Sequence, residues 1–270
     1  MNKLRWVKNK LKKILKYFPL KQKRRKKNAE RLIPEFYQQN DAEKILFLKH
    51  QFAYEFAKKY IQPPMLILDY GCGDGYGAKI LAQTFSEVQV IGCDVDIYTV
   101  KQARKKYNLQ NVKYLTLNEL KKAFLKFDLI VSFQVIEHIE NVNSYLCFLK
   151  EMLSDNGTLI ISTPSRNYRL NENQPPWNPY HLREYSMAQF KEEIEKVFKN
   201  TCFYSLTAIP EVLKIEFSRV AAGREDKKIF NNIQIQHNAY HKDYSIDNFW
   251  LTKENPDDGL DLFCVFIKSN

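Results

Sequence analysis

Residues Ile67 to Gly77 read ILDYGCGDGYG. The apolar run stops at an acid, Asp69, and gives way to glycines at positions 71, 73, 75 and 77. Met65 to Leu68 are too few for a helix and suit a strand buried on both faces. Ala78 to Thr84 then reads as helix. A strand, a tight turn and a helix bring main-chain N–H groups close to a ligand, because glycine has no Cβ to block the approach. Gly73, Gly75 and Ala78 also satisfy the G-x-G-x-x-G/A dinucleotide fingerprint, so the glycines alone leave two ligand classes open. Asp69 separates them. A carboxylate two residues before the first glycine can meet an ammonium group, directly or through water, and would repel a pyrophosphate.

On either side of this turn, strand and helix alternate. Val88 to Cys93, Val112 to Leu117, Phe127 to Phe133 and Thr158 to Ser162 read as strands, with helices at Thr99 to Tyr107, Tyr145 to Leu153 and Met187 to Phe198. Two more strands, Cys202 to Thr207 and Leu262 to Lys268, bring the number to seven. The alternation predicts an α/β fold, a doubly wound and mostly parallel sheet with helices on both faces. Upstream, residues 29 to 62 read as helix, with Ile45, Leu46, Leu48, Phe52, Phe56 and Tyr60 on one face, until Pro63-Pro64 stops it. Thr163 to Glu184 and an insertion from Ala208 to Asp261 are irregular, and long irregular stretches in compact domains are usually functional or disordered.

The chain carries 42 Lys and Arg, 31 Asp and Glu, and a formal charge of +11. Thirteen of the basic residues and no acid fall in residues 1 to 27, so the remaining 29 face 31 acids and the body has a net charge of −2. Nucleic-acid binding across the body is therefore poorly supported. Leu4, Val7, Leu11, Ile14 or Leu15, and Phe18 recur at three- and four-residue steps with lysines between them, a basic amphipathic helix ended by Pro19. Such a helix suits an anionic membrane face, although packing on the body would satisfy the same pattern. The five cysteines form no C-x-x-C pair and read as reduced thiols. With no transmembrane run and no signal-peptide h-region, a cytoplasmic protein is expected, at most peripheral on the inner membrane face. No His and Cys spacing suggests zinc, so no metal is expected. No segment reads as a site for an obligate protein partner.

Asp69, Gly71, Gly73 and Gly75 together spell D-x-G-x-G-x-G, which resembles the S-adenosylmethionine motif of class I methyltransferases. The resemblance implies a Rossmann-like sheet of seven strands with the last antiparallel. It also implies S-adenosylmethionine as cofactor, with S-adenosylhomocysteine as product, and Asp69, Gly71, Cys72, Gly73 and Gly75 around its amino-acid end. Asp94, closing VIGCDVD, is placed to accept both ribose hydroxyls, and an N-cap for the next helix is its plainer reading. Val95 stands where an apolar side chain lies against the adenine in the family. Asn118 stands where relatives carry an Asp for the adenine amino group, with Glu119 as a neighbour that competes for the role. FDLIVSFQVIEHIEN, Phe127 to Asn141, resembles the fourth-strand motif of the ubiquinone-biosynthesis and glycan branches. It puts Gln134 beside the methionyl part and Glu137-His138 at the opening of a helix. His138 is a candidate general base because its ordinary pKa is near neutral, and a capping role for the pair is the alternative.

NPYHLREYS, Asn178 to Ser186, resembles a segment of methyltransferases from bacterial cell-surface sugar clusters. It offers Tyr180, Arg183 and Tyr185 as substrate-facing tips and His181 as a second candidate base. The likeness runs from about residue 65 to the end and leaves the N-terminal tail outside. Residues 1–28 are then a basic tail, 29–64 a helical cap, and 65–270 the catalytic domain with its insertion at 208–261. No N-P-P-Y follows the fourth strand, where Ser132, Phe133, Gln134 and Val135 stand instead, and no Pro-Cys pair offers a nucleophile for base-carbon methylation. The expected function is O-methylation of a sugar or related polar intermediate of bacterial surface-glycan assembly, with a small molecule, a sugar or a lipid-linked glycan as substrate. Methylation of a lipid quinone or small carboxylate fits the Glu137-His138 motif equally, and an S-adenosylmethionine-binding adaptor without transfer activity is the reading from another class.

Overall fold

The computed structural model describes residues 33–36, 40–225, 243–254 and 256–268. The basic helix expected near the N-terminus lies outside these residues. Eight strands form one sheet: β1 Leu66–Tyr70, β2 Gln89–Asp94, β3 Val112–Thr116, β4 Phe127–Phe133, β5 Leu153–Pro164, β6 Cys202–Ala208, β7 Phe249–Thr252 and β8 Asp261–Ile267. Their order is β3-β2-β1-β4-β5-β8-β6-β7. β1 pairs in parallel with β2 and β4, and Asp69 stands level with Gly92 on one side and Val131 on the other. The strand order reverses between β1 and β4, and ligands of open α/β sheets lie outside the carboxyl ends of the strands at such a switch point.

Seven strands were expected and eight are found among the described residues. β8 runs antiparallel to both β5 and β6, as expected of the last strand. The extra strand, β7, lies within the segment taken as an insertion and adds to the sheet edge antiparallel to β6. Four residues, Phe-Trp-Leu-Thr, with one buried and the others partly or fully exposed, give too short an alternation to be read locally.

The helices are α1 Asp41–Ala57, α2 Tyr76–Ala82, α3 Ile97–Lys106, α4 Leu117–Ala123, α5 Val142–Met152, α6 Arg166–Arg169, α7 Met187–Glu195 and α8 Pro210–Glu225. α1 is shorter than the helix expected over residues 29 to 62. It starts at Asn40, whose Oδ1 accepts the Glu43 N–H at 2.9 Å. Ile45, Leu48, Tyr54 and Ala57 of α1 join the core on one face of the sheet. Lys49, 3% exposed, ties α1 to the rest through Asp261 of β8 at 3.1 Å and Glu216 of α8 at 3.9 Å. α4 was not anticipated. Thr116 and Glu119 form a capping box that starts it directly from the last residue of β3.

Glu137 and His138 do not open a helix, contrary to the sequence reading. They lie in a single 3₁₀ turn, Ile136–His138, and α5 begins only at Val142. Asn141 is the reason: its Oδ1 accepts the Ser144 N–H at 2.9 Å and sets the helix start after the Glu-His pair.

Candidate active site

The glycine turn lies at the switch point. The Gly71 and Cys72 N–H groups both donate to the Cys93 carbonyl, at 2.7 and 2.9 Å, which folds the turn back against β2. Gly75 caps α2 in the left-handed region at φ 94. Gly73 has φ 50, and a Cβ built there would meet nothing within 4 Å, so this part of the turn borders open space. Gly77 is different. A Cβ there would stand 1.9 Å from the Tyr54 ring, so glycine lets α1 pack directly over the turn.

Asp69 is 1% exposed at the end of β1 and accepts the Tyr54 hydroxyl at 3.3 Å. Burial pushes its carboxyl up to about 7, while the Tyr54 hydrogen bond pulls the other way. A buried acid with a perturbed pKa, close to the open space at Gly73, marks a candidate functional site. Asp94 closes β2, where one carboxylate oxygen accepts the Gly73 N–H at 3.1 Å and the other accepts the Asp96 N–H at 2.8 Å. It does not cap the following helix; Asp96 does, accepting the Tyr98 N–H at 2.8 Å. Val95, beside Asp94, is 79% exposed. Asn118 is exposed on the first turn of α4, whereas Glu119 is buried and accepts Arg104 at 2.9 Å, so of the two only Asn118 borders solvent. Gln134, just past β4, has φ 56, a left-handed conformation rare for a residue with a side chain and often found at functional sites. Its N–H donates to Ser162 O at 2.9 Å.

The second half of the site is a loop folded onto the 3₁₀ turn. The Leu182 and Arg183 N–H groups reach the Glu137 carbonyl at 2.9 and 3.4 Å. Glu137 is fully buried, and its Oε2 accepts the Thr163 hydroxyl at 3.0 Å. His138 Nδ1 lies 2.8 Å from Tyr180 O, and the His138 and His181 rings meet edge to face at 4.9 Å. His181 Nδ1 lies 2.7 Å from Glu184 Oε1, and Arg169 Nε donates to the other oxygen of Glu184 at 2.9 Å. The guanidinium of Arg169 and the imidazole of His181 hold the Glu184 carboxyl below its ordinary value despite burial.

Glu137, His138 and His181 thus come together, as do the residues of the glycine turn with Asp94. Tyr180 is 37% exposed at the rim, and Arg183 donates to Glu140 O at 3.2 Å beside it. Tyr185 is not a polar tip. Its ring is 4% exposed, packs 6.1 Å from Phe190, and burial raises its hydroxyl to about 12. Tyr185 pairs with Ser165 in an isolated bridge, which turns the ring into the core. Four participants escaped the sequence reading: Tyr54, Arg169, Asn178 and Glu184. Asn178 and Glu184 lie inside NPYHLREYS, and only their near-complete burial, 1% and 4% exposed, marks them.

One ligand atom each from Glu137, His138 and His181 lies within 4.8 Å of the others, a spacing from which a metal ion could be held. Ligands bonded to one ion at about 2.0–2.2 Å stand roughly 3–3.5 Å apart. Here His138 Nε2 and Glu137 Oε1 are 4.0 Å apart, and His181 Nε2 already faces Asn178 Nδ2 at 2.9 Å. As folded, the three side chains are each held by hydrogen bonds to residues outside the cluster, Thr163, Tyr180, Asn178 and Glu184.

A glycine turn at the switch point, a buried acid before it and a second acid on the neighbouring strand form the arrangement that the sequence ties to class I S-adenosylmethionine-dependent methyltransferases. Comparison with known proteins agrees. The profile of a family described as "Methyltransferase domain" matches residues 7–214, and the chain belongs to that family. The match begins inside the tail that sequence reading had left outside the likeness. A protein of Mycolicibacterium smegmatis named "Probable S-adenosylmethionine-dependent methyltransferase" is 34% identical over 129 residues, 48% of this chain and 49% of that one. The chain thus spans about half the length of the first curated relatives it matches. The ubiquinone biosynthesis O-methyltransferase of Rickettsia typhi is 28% identical over 64% of this chain and 71% of its own. Among solved structures, geranyl diphosphate methyltransferase in complex with S-adenosylmethionine has a TM-score of 0.54 at 13% identity, covering 84% of this chain and 90% of that one. At that identity the likeness is one of fold.

Proposed function

We propose that the chain moves the sulfonium methyl group of S-adenosylmethionine onto an oxygen of a small polar acceptor, a sugar hydroxyl in bacterial surface-glycan assembly. The sulfonium leaves as the thioether, the new bond is carbon to oxygen, and the hydroxyl proton departs to a base on the protein. The observation that supports this reading is the pair of imidazoles meeting edge to face at 4.9 Å, with His138 Nδ1 on a backbone carbonyl. A carbonyl only accepts, so the proton of the neutral ring sits on Nδ1 and the lone pair on Nε2 is the base.

In this proposal Asp69, Gly71, Cys72, Gly73 and Gly75 hold the amino-acid end of the cofactor and Asp94 its ribose. Val95 and Asn118 face the adenine, Gln134 borders the methionyl part, and Tyr180 and Arg183 line the acceptor rim. Alignment of the oxygen with the methyl carbon supplies most of the rate, because the leaving group is already activated. The basic segment, residues 1–28, would hold the enzyme at an anionic inner membrane surface where lipid-linked acceptors are made, the segment 29–64 would cap the site, and 65–270 would form the catalytic domain. No helix among the described residues is long and apolar enough to cross a membrane.

A second reading is favoured by the names of relatives. Proteins named ubiquinone biosynthesis O-methyltransferase and malonyl-[acyl-carrier protein] O-methyltransferase both resemble this chain, so a phenol or a carboxylate is the competing oxygen. Methyl uptake from labelled S-adenosylmethionine, measured on nucleotide sugars, lipid-linked saccharides, catechols and carboxylates, decides among them. Transfer to a catechol or carboxylate and to no saccharide would remove the glycan assignment. Vesicle flotation of the chain with and without residues 1–27 tests the membrane role, and equal flotation would remove it.

A further inference from the structure

Between residues 178 and 184 runs a set of hydrogen bonds whose directions can be assigned one after another. The Tyr180 N–H, a pure donor, reaches Asn178 Oδ1 at 3.0 Å, which fixes the amide of this buried asparagine. Asn178 Nδ2 is then the atom 2.9 Å from His181 Nε2. An amide nitrogen only donates, so His181 Nε2 is the acceptor, and the proton of this imidazole sits on Nδ1, pointing at Glu184 Oε1 2.7 Å away. Glu184 is kept anionic by Arg169, which itself stacks 4.4 Å over the Trp177 ring. Tyr180, held by its N–H, turns its carbonyl to His138 Nδ1 at 2.8 Å.

The geometry points to Asn178 as a positioning residue. One amide sets the tautomer of His181 through Nδ2 and, through the Tyr180 backbone, the tautomer and orientation of His138. It follows that His181 does not take the acceptor's proton, because its lone pair is spent on Asn178. His138 Nε2 takes it, a step that rests on the O-methylation reading given above. The tautomer assignment stands without that reading.

The test is ¹⁵N NMR of the full-length chain labelled at histidine and saturated with S-adenosylhomocysteine, with His138→Gln and His181→Gln to assign the two rings. Wild type is expected to show both rings as Nδ1–H tautomers. Asn178→Asp places a carboxylate against His181 Nε2 while preserving the bond to the Tyr180 N–H. It should convert His181 to the doubly protonated form and leave His138 unchanged. Asn178→Ala removes both bonds and should spread His138 over both tautomers. S-adenosylhomocysteine affinity within about twofold of wild type would show that either variant still folds.

On whichever acceptor turns over, Asn178→Ala should lower kcat by about tenfold or more at nearly constant KM, as expected for loss of orientation in the transition state. Unchanged nitrogen shifts at His138 in Asn178→Ala, with cofactor affinity retained, would overturn the proposal. So would a wild-type His181 protonated on Nε2. If no acceptor is methylated, the function fails while the nitrogens still report on Asn178, so the two failures stay distinct.

Discussion

Asp69 carries the sharpest consequence for cofactor binding. Its carboxyl is buried, titrates near 7, and receives the Tyr54 hydroxyl at 3.3 Å. Below pH 7 the ligand-free protein holds a proton there, whereas in the proposed placement the ammonium group of the cofactor favours the ionised form. Binding therefore expels a proton, and affinity climbs with pH until Asp69 is already ionised in the free protein. Between pH 5.5 and 7.5 the ionised fraction rises from about 0.03 to about 0.8, an increase in affinity on the order of 20-fold or about 1.8 kcal/mol. Calorimetric titration with S-adenosylhomocysteine in two buffers of different ionisation heat measures both the affinity and the proton released.

Asp69→Asn should bind weakly and show no such slope. Tyr54→Phe removes a donor that favours the carboxylate, so its midpoint should move above that of wild type. A wild-type affinity that is flat over this range, or a slope that survives in Asp69→Asn, would refute the reasoning. The same shift acts on stability. The folded value lies above the ordinary 3.8, so the contribution of Asp69 is complete below about pH 4 and is lost as pH rises through 7. By pH 8 the ligand-free protein has lost as much as about 4 kcal/mol at this group, and Asp69→Asn, of nearly the same shape, should recover much of it in denaturant melts.

Three further outcomes test other joints of the structure. Asp94→Ala should weaken S-adenosylhomocysteine binding by about 1.5–3 kcal/mol, the scale of hydrogen bonds to a charged group, and calorimetry reads it directly. Gly77→Ala drives a methyl group into the Tyr54 ring, which is itself wedged 5.0 Å from Phe133 and 5.5 Å from Tyr76. A denaturant midpoint corresponding to a loss of about 1–3 kcal/mol is expected, and an unchanged midpoint would show that α1 can lift. Lys49→Met strands the buried carboxylate of Asp261 and should cost about 3–5 kcal/mol, most of which Lys49→Met with Asp261→Leu should restore.

The glycine-turn half of the candidate site was legible because its information is local. Asp69, the glycines and Asp94 each sit at the end of a strand whose apolar run is itself the signal, and the parallel register then brings the ends of β1 and β2 together without further instruction. What local pattern could not supply was any statement about α4 or β7. α4 starts from a two-residue capping box on the last residue of β3, and β7 is a four-residue edge strand whose partner, β6, lies more than forty residues upstream.

The histidine half of the candidate site is legible only in pieces, because its bonds join residues far apart in sequence and run through backbone atoms. His138 meets the carbonyl of Tyr180, 42 residues on, and Thr163 meets Glu137 across 26. Nothing in the identity of residue 180 announces that its carbonyl is the group that meets His138. Tyr185 shows the converse: a tyrosine at a promising spacing is drawn into the core by the Ser165 bridge. A side chain's chemistry can be read from its letter, but its direction is fixed by the backbone bonds on either side of it. For this loop those bonds converge on Asn178, whose short amide can satisfy a backbone N–H and an imidazole at once. Aspartate at that position would keep the bond to the Tyr180 N–H and alter the proton inventory of His181 alone, whereas leucine would remove both bonds and alter that of both histidines.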